Sequence, residues 1–399
     1  MKHILKIFTF ISLLISSPGC KTENYFPKST GEHTVGTCSY HWANTKEQRE
    51  LMVQFWYPAQ ETGQITQKYP AAKTLKMNAR EEKIPEDELV EIDAIHTNAF
   101  LDADIYPTQE KYPVVIFSHG FGTSRTFNSA MCENLASHGY IVIGIDHPHS
   151  SKIIRYPDGR TLKTTVETFK EKVALIKDNV KDSIFVLDKV EEINKTKTEK
   201  FYTKLDVNRI GMLGHSVGGI AAAHTCGIDA RCKAGINMVG PILESCKPRP
   251  FDKPFMFLLG NEETKIFKNP ITEEVIGELG LTKQTADDHG FNETYRTAYN
   301  IGIPELLQSI HHDTYKITFK GLDHMDFCDF MWLKHFPLFQ KHNVNFLSNA
   351  LDGYKSTHIA NDYIIYFFDT YLKEETCVFP EYPDDVTVEK NVVVSREKA

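Results

Sequence analysis

The central part of the chain alternates between continuous apolar runs and segments with helical spacing. The runs YPVVIFSHG, from Tyr112, and YIVIGIDHP, from Tyr140, are typical of strands that are covered on both faces in a parallel sheet. Between them, Met131, Leu135 and Ala136 recur at helical spacing ahead of a glycine. This pattern predicts a β-α-β unit.

The same alternation continues towards the C-terminus. The segment 164–194 predicts a long amphipathic helix, because its apolar residues step by three or four positions with charges between them. Four further strand-like runs follow, RIGMLGHS, CKAGINMVG, KPFMFLLGN and TYKITFKG, and residues 360–372 predict a terminal amphipathic helix. The pattern therefore predicts an α/β protein with one doubly wound, mostly parallel sheet.

These elements predict a single domain over residues 49–375. Its first strand is predicted at 50–58, and the charged, proline-containing segment 59–110 is predicted to wrap irregularly over the core. Residues 21–48 are predicted to be a polar linker and the start of this wrap. Residues 376–399 are predicted to form a C-terminal tail.

Residues 1–20 have the pattern of an export signal. Two lysines precede an apolar stretch from Ile7 to Ile15, which at nine residues is shorter than the roughly 20 residues of a membrane-spanning helix. Cys20 follows small residues, as the lipidated cysteine of a bacterial lipoprotein does, but Ser17 stands where such signals carry leucine. The sequence predicts export and leaves lipidation at Cys20 and plain secretion open.

Charge and cysteine spacing narrow the classes of function. The formal net charge of the 399 residues is −8 and no long basic run is present, which argues against a nucleic-acid partner. The cysteines that follow Cys20 match no zinc or redox spacing. Cys226 and Cys232 could form a disulfide in an oxidising compartment or remain buried thiols.

The pentapeptide GHSVG at 214–218 lies where a predicted strand meets a predicted helix. Small residues on both sides allow a tight turn from which the Ser216 side chain projects. The helix N-terminus that follows offers backbone N–H groups to a developing oxyanion. We therefore predict that Ser216 is a nucleophile; the alternative is an ordinary helix N-cap.

A serine nucleophile needs a base and an oxyanion hole. His324 is the best candidate for the base, because it follows the last predicted strand and precedes the terminal helices. One oxyanion donor is expected to be the amide of Val217, the residue after the nucleophile. The other is expected in the glycine-containing loop after the first buried strand, at the amide of Phe121.

The string YPVVIFSHGFGTSRTFNSAMCENLASHGYIVIGIDHPHSS, together with GHSVGG, CKAGIN and HMDFCDF, resembles the secreted, lipoprotein-associated platelet-activating factor acetylhydrolases. The similarity runs from about Val35 to the terminal helix, and the matching blocks keep their order. The resemblance implies an α/β-hydrolase fold, no metal or other cofactor, and hydrolysis of short or oxidised sn-2 acyl chains from phospholipids through an acyl-enzyme. It also implies that Ser216 is the nucleophile, that His324 is the base, and that Phe121 and Val217 supply the oxyanion amides.

One residue of the family pattern is missing. The position that matches the triad aspartate is Val239, which cannot orient an imidazole. Many α/β-hydrolases carry the acid one strand later, shortly after a glycine, and FMFLLGNEET places Glu262 and Glu263 there. Glu263 is the preferred substitute and Glu262 the second, with two solvated loop carboxylates as the alternative.

Three functions remain open at this point. The first is a secreted, serine-dependent phospholipid esterase, which could associate with a membrane or lipoprotein surface. The second is a related hydrolase of another small or polyester-like ester, since one fold serves many substrates. The third is a lipid-binding pseudoenzyme that has lost its rate through Val239. The apolar stretch 330–339 would suit either a lipid-facing pocket or the core.

Overall fold

A ten-stranded sheet forms the centre of the protein. The computed structural model describes residues 25–61, 65–108, 110–261, 270–273, 276, 282–289, 292–344, 346, 348, 350 and 352–392. The strands are β1 (Thr34–Asn44), β2 (Arg49–Ala59), β3 (Phe100–Leu101), β4 (Tyr112–Ser118), β5 (Ile141–Asp146), β6 (Ile153–Arg155), β7 (Thr161–Lys163), β8 (Leu205–His215), β9 (Cys232–Met238), β10 (Phe255–Gly260), β11 (Thr314–Phe319) and β12 (Val386–Asn391).

The inner strands of the sheet are all parallel. The order across the sheet is β12-β11-β10-β9-β8-β4-β5-β2-β1-β3, and every pair from β11 to β5 is parallel. β12 adds antiparallel at one side, and β2 and β1 add antiparallel at the other. β6 and β7 form a separate two-stranded ribbon.

Helices cover both faces of this sheet. α3 and α4 contribute to the apolar core on one face, and α2 and α10 contribute to the core on the other. The arrangement confirms the predicted α/β, doubly wound and mostly parallel sheet. The described α-helices are α1 (Ala72–Glu81), α2 (Ser129–Ser137), α3 (Phe169–Lys195), α4 (Val217–Ile228), α5 (Lys283–His289), α6 (Glu293–Thr297), α7 (Ile303–Ser309), α8 (Phe330–Leu333), α9 (Pro337–Lys341) and α10 (Gly353–Tyr371).

The apolar runs form the inner strands because both of their faces are covered. Every residue of β4, β5 and β10 is buried, so neither face of these strands alternates with polar positions. Each fully buried Val, Ile, Leu or Phe side chain stabilises the fold by about 1.5–3 kcal/mol. The inner strands are therefore the rigid frame from which the loops at their carboxyl ends project.

The sheet extends beyond the predicted domain limits at both ends. β1 begins at Thr34, inside the segment that was predicted to be linker, and pairs with β2. β12 lies in the predicted tail and pairs with β11. Both strands mix buried and exposed positions, because they lie towards the outer edges of the sheet. They therefore lack the continuous apolar runs that identify the inner strands.

Two long helices begin at positions other than those predicted, because capping side chains set their first turns. α3 begins after the predicted start at 164, since Thr168 and Glu171 form a capping box. α10 begins before the predicted start at 360, since the side chain of Asp352 accepts a hydrogen bond from a backbone amide of its first turn. The amphipathic spacing alone does not reveal these ends.

The wrap and the apolar stretch 330–339 pack against each other. Trp332 makes edge contacts with Phe26 and Tyr69, with ring centroids 5.3 and 5.6 Å apart. All three side chains are buried in one apolar cluster that also contains Phe336. This stretch therefore belongs to the core rather than to a lipid-facing pocket.

Cys226 and Cys232 form a disulfide that joins the last turn of α4 to the start of β9. Both residues are buried. The bridge ties the helix that follows Ser216 to the neighbouring inner strand.

The described helices include none that is both long and apolar enough to cross a membrane. The predicted export signal at 1–20, with Cys20, lies outside the described residues. Export and lipidation therefore stay predictions.

Candidate active site

Ser216 occupies a strained turn between β8 and α4. Its φ of 55° and ψ of −122° are sparsely populated by any residue with a side chain. The turn is fixed on both sides, because the Ser216 amide donates to the carbonyl of Met238 (2.8 Å) and its carbonyl accepts from the amides of Gly219 (2.9 Å) and Ile220 (3.2 Å). Ser216 keeps 9% exposure, whereas the preceding His215 keeps 1%. This geometry matches the predicted strand–nucleophile–helix turn.

Glycines flank this turn because neighbouring backbone leaves no room for side chains. A Cβ on Gly214 would lie 2.1 Å from the carbonyl oxygen of Gly218, and a Cβ on Gly218 would lie 2.1 Å from the carbonyl oxygen of Ser118. The first contact closes the turn on itself. The second brings the start of α4 against the end of β4, which precedes the predicted oxyanion loop.

We expect Gly218→Ala to destabilise the protein by about 1–3 kcal/mol, because the added methyl group meets rigid backbone rather than a mobile side chain. Gly227→Ala, at the far end of α4, is the matched control, since its nearest neighbour would lie 3.2 Å away. Urea unfolding of the three proteins measures the effect. Equal free energies of unfolding for both variants would contradict this account of the turn.

The two predicted oxyanion amides lie beside this turn. Within the described residues, neither the amide of Phe121 nor that of Val217 donates a hydrogen bond. The backbone of Gly120 approaches the nucleophile closely, because a Cβ built there would lie 3.2 Å from the Cβ of Ser216. The Phe121 side chain packs in one small cluster with Val217. Two unused donors on elements that meet at Ser216 are what an oxyanion hole requires.

His324 lies next to the residue that precedes the nucleophile. It begins the short 3-10 helix His324–Phe327 that follows β11. Its carbonyl accepts a hydrogen bond from Nε2 of His215 (3.0 Å), and the two imidazole rings have centroids 5.2 Å apart. The structure thus brings the predicted base to the same edge of the sheet as Ser216.

The two aspartates beside His324 hold its turn. Oδ1 of Asp323 accepts from the His324 amide (2.7 Å), and Oδ2 of Asp326 accepts from the Asp323 amide (2.7 Å). Oδ1 of Asp326 accepts from the hydroxyl of Ser348 and from the amide of Ala350 (3.3 Å). Both carboxylates therefore form hydrogen bonds that stabilise the loop around His324.

His215 is a site residue that sequence reasoning missed. Complete burial, together with the nearby His324, lowers its pKa to about 3, so the ring is neutral at ordinary pH. Because Nε2 donates to the His324 carbonyl, Nδ1 carries the lone pair, and no described group hydrogen-bonds to it. Its place inside the GHSVG motif was the available signal, but only the tertiary contact shows that it holds the predicted base.

Val239, directly after β9, is the position that the resemblance matches to the triad aspartate. It is completely buried and has a φ of 51°, a conformation that strains a β-branched residue and that aspartate adopts more readily. Its amide donates to the carbonyl of Leu258 (2.8 Å), and its carbonyl accepts from the hydroxyl of Tyr299 (2.8 Å). The backbone geometry of this position is therefore one that suits aspartate, while the side chain offers no carboxylate.

Glu262 and Glu263 lie outside the described residues. The chain just before them, however, contacts the chain just before His324. Oδ1 of Asn261 accepts from the amide of Gly321 (2.7 Å), and a Cβ on Gly260 would lie 2.4 Å from the carbonyl oxygen of Leu322. The end of β10 therefore leads directly towards the loop that carries the predicted base.

Comparison with known families confirms the resemblance over the first half of the chain. The family model described as platelet-activating factor acetylhydrolase, isoform II, matches residues 19–199. A probable 1-alkyl-2-acetylglycerophosphocholine esterase of Arthroderma benhamiae is 36% identical over 131 residues, which are 32% of this chain and 31% of the relative. The platelet-activating factor acetylhydrolase of Bos taurus is 29% identical over 196 residues, which are 41% of this chain and 43% of the relative. The matches thus span less than half the length of these relatives.

A solved structure extends the comparison over the whole fold. The ferulic acid esterase from Streptomyces cinnamoneus superposes with a TM-score of 0.67 and 21% sequence identity, covering 91% of this chain and 98% of that protein. At this identity the likeness concerns the fold alone. It confirms the predicted α/β-hydrolase fold.

Proposed function

We propose that this chain, which resembles the platelet-activating factor acetylhydrolases, is a serine-dependent carboxylic ester hydrolase that releases short or oxidised sn-2 acyl groups from phospholipids. The observation that carries the proposal is the turn at Ser216, where the strained serine meets the unused amides of Phe121 and Val217. The neighbouring position of His324 supports it. The names of the relatives support the phospholipid ester as substrate.

The proposed reaction proceeds in two steps. The Ser216 hydroxyl oxygen attacks the ester carbonyl while His324 takes its proton, and the oxyanion accepts hydrogen bonds from the Phe121 and Val217 amides. His324 then protonates the departing alcohol, which leaves an acyl group on the serine. A water molecule, deprotonated by His324, releases the acid and restores the enzyme. No metal or other cofactor takes part in this proposal.

We assign the orienting acid to Glu263, with Glu262 as the second choice. The contacts of Gly260 and Asn261 with the segment that precedes His324 support this assignment, because they bring the end of β10 beside that segment. The extra methylene of glutamate lengthens its reach compared with the aspartate that the family carries one strand earlier. In this proposal, Val239 is compensated by a carboxylate on the next strand.

A compact apolar cluster beside the nucleophile supports a short acyl group. Ile176 of α3 and Val217 and Ile220 of α4 are buried together, and Phe121 and Val173 pack against them. These side chains line the region around both oxyanion donors. In this proposal the cluster borders the acyl group and favours a short one.

The alternative functions differ from this proposal in measurable ways. A hydrolase of another small ester would turn over p-nitrophenyl acetate without preferring phospholipids. A lipid-binding pseudoenzyme would turn over neither, and its specific motivation is the loss of a carboxylate at Val239. Removing the acid of a triad costs about 10⁴-fold in turnover. Turnover, rather than labelling of the serine, separates these functions.

We expect the wild-type protein to hydrolyse both p-nitrophenyl acetate and a phospholipid with an sn-2 acetyl group. Ser216→Ala and His324→Ala should each lower kcat by on the order of 10⁴-fold or more, because they remove the nucleophile or its base. Steady-state kinetics measures this loss. Ser129→Ala, which changes a buried serine outside the site, is the control. Equal activity in Ser216→Ala and the wild type would refute the assignment.

The position of the acid is tested by a second set of variants. Glu263→Gln should lower kcat by about 10⁴-fold, with Glu262→Gln much closer to the wild type, because only the first removes the proposed partner of His324. Val239→Asp should restore part of the activity to Glu263→Gln. Retained activity in Glu263→Gln would exclude Glu263, and rescue of an inactive wild type by Val239→Asp would identify a disabled hydrolase.

The apolar cluster predicts the preference for acyl length. Val173→Ala should raise kcat/KM for p-nitrophenyl octanoate, relative to kcat/KM for the acetate, by about fivefold. The smaller side chain enlarges the space beside the nucleophile. Val190→Ala is the matched control, since Val190 lies on the same helix but in the main core. A ratio that changes equally in both variants would show that the cluster does not limit acyl length.

A further inference from the structure

A second Ser–His–Asp chain lies inside the fold, apart from Ser216. The hydroxyl of Ser118 lies 2.8 Å from Nε2 of His147, and Nδ1 of His147 lies 2.9 Å from Oδ2 of Asp182. Arg49 forms a bidentate contact with Asp182. Its Nε donates to Oδ1 (2.7 Å) and a terminal nitrogen donates to Oδ2 (2.6 Å). Ser118 is in β4, His147 directly follows β5, Asp182 is in α3 and Arg49 is in β2.

Burial excludes a nucleophilic role for this serine. Ser118, His147 and Asp182 have no exposed surface, so no substrate reaches them. Burial opposes ionisation of Asp182, but the hydrogen bonds from Arg49 and His147 outweigh it and lower the pKa of this carboxyl. The charges of Arg49 and Asp182 then balance, and the His147 ring links Asp182 to the serine. A fully satisfied buried network of this kind is rigid and specifies one arrangement.

The Ser118 end of this hydrogen-bonded chain lies at the predicted oxyanion loop. Ser118 is the last residue of β4 and precedes Phe121 by three positions. Its carbonyl oxygen is the atom against which Gly218 packs at the start of α4. Displacement of Ser118 would therefore move both elements that carry the oxyanion amides.

A second set of buried contacts fixes the same loop. His119 donates from Nδ1 to the carbonyl of Gly120 (2.6 Å), and its Nε2 accepts from the hydroxyl of Ser151 (2.8 Å) and from the amide of His147 (3.3 Å). Burial and the nearby His147 lower the pKa of His119 to about 4, which keeps this ring neutral. The two histidines therefore join the loop to the segment after β5.

We propose that the buried Arg49–Asp182–His147–Ser118 chain holds the oxyanion loop in its catalytic position, with His147 and Ser118 as positioning residues. The inference rests on the proposed ester hydrolysis for its kinetic consequence. The hydroxyl of Ser118 anchors the end of β4, so the amide of Phe121 stays aimed at the site where the oxyanion develops. Loss of this anchor affects the transition state more than substrate binding.

Two substitutions of His147 separate positioning from simple packing. Asparagine places its amide nitrogen near the position of Nδ1 and keeps the bond to Asp182, whereas glutamine reaches the position of Nε2 and keeps the bond to Ser118. Both remove the ring, so their losses of stability should be similar. We expect His147→Asn and Ser118→Ala to lower kcat for p-nitrophenyl acetate by about tenfold with KM changed less than twofold, and His147→Gln to stay within about threefold of the wild type.

The measurement is kcat per active site, with Ser216 titrated by a fluorophosphonate, together with amide hydrogen exchange of the peptide that spans 119–124. Exchange in this peptide should be faster in His147→Asn and Ser118→Ala than in His147→Gln. Ser183→Ala is the control, because among the described residues this buried hydroxyl bonds only within its own helix, to the carbonyl of Asn179. It should leave both readouts unchanged.

Two outcomes would overturn the inference. One is a Ser118→Ala protein whose kcat per active site and loop exchange match those of the wild type. The other is an equal effect of His147→Asn and His147→Gln that follows their loss of Tm. If the wild type hydrolyses no ester, the proposed function fails. The amide hydrogen exchange of the 119–124 peptide alone then decides whether the buried Arg49–Asp182–His147–Ser118 chain holds the loop.

Discussion

The close approach of three backbone segments at Ser216 is the constraint on which the site depends. The carbonyl of Ser118 lies against Gly218, and the carbonyl of Met238 binds the Ser216 amide. These contacts hold the serine at a positive φ that it would not adopt alone. They also place the ends of β4, β8 and β9 together, so the loop after β4 and the start of α4, which carry the proposed oxyanion donors, lie beside Ser216. Most residues of these three strands are buried, and their rigid packing opposes relaxation of the turn.

Buried polar side chains beneath the site orient the turn of His324 and the predicted oxyanion loop. His215 holds the turn of His324 through its carbonyl, while the chain from Arg49 to Ser118 anchors the opposite loop. Both arrangements lie in the protein interior, where an unpaired polar group is costly and a satisfied network is strong. The proposed base and the proposed oxyanion donors are thus fixed by separate sets of hydrogen bonds.

Val239 stands at the position that the family resemblance matches to a triad aspartate. The position has a positive φ, and both of its backbone groups are hydrogen-bonded, so the turn after β9 forms without a carboxylate at this position. The neighbouring strand β10 ends against the loop of His324.

The sequence by itself determined the inner strands and the helices α2, α3, α4 and α10, and it singled out Ser216 and His324 as the predicted nucleophile and base, because continuous apolar runs and a glycine-flanked serine have few structural solutions. It did not reveal β1 and β12, whose mixed exposure lacks a strong period, or the helix starts that Thr168 and Asp352 cap. Only the tertiary structure showed that the stretch 330–339 belongs to the core and that a buried chain of hydrogen bonds joins Arg49 to Ser118. Such contacts join residues far apart in the chain, and no local pattern of residues records them.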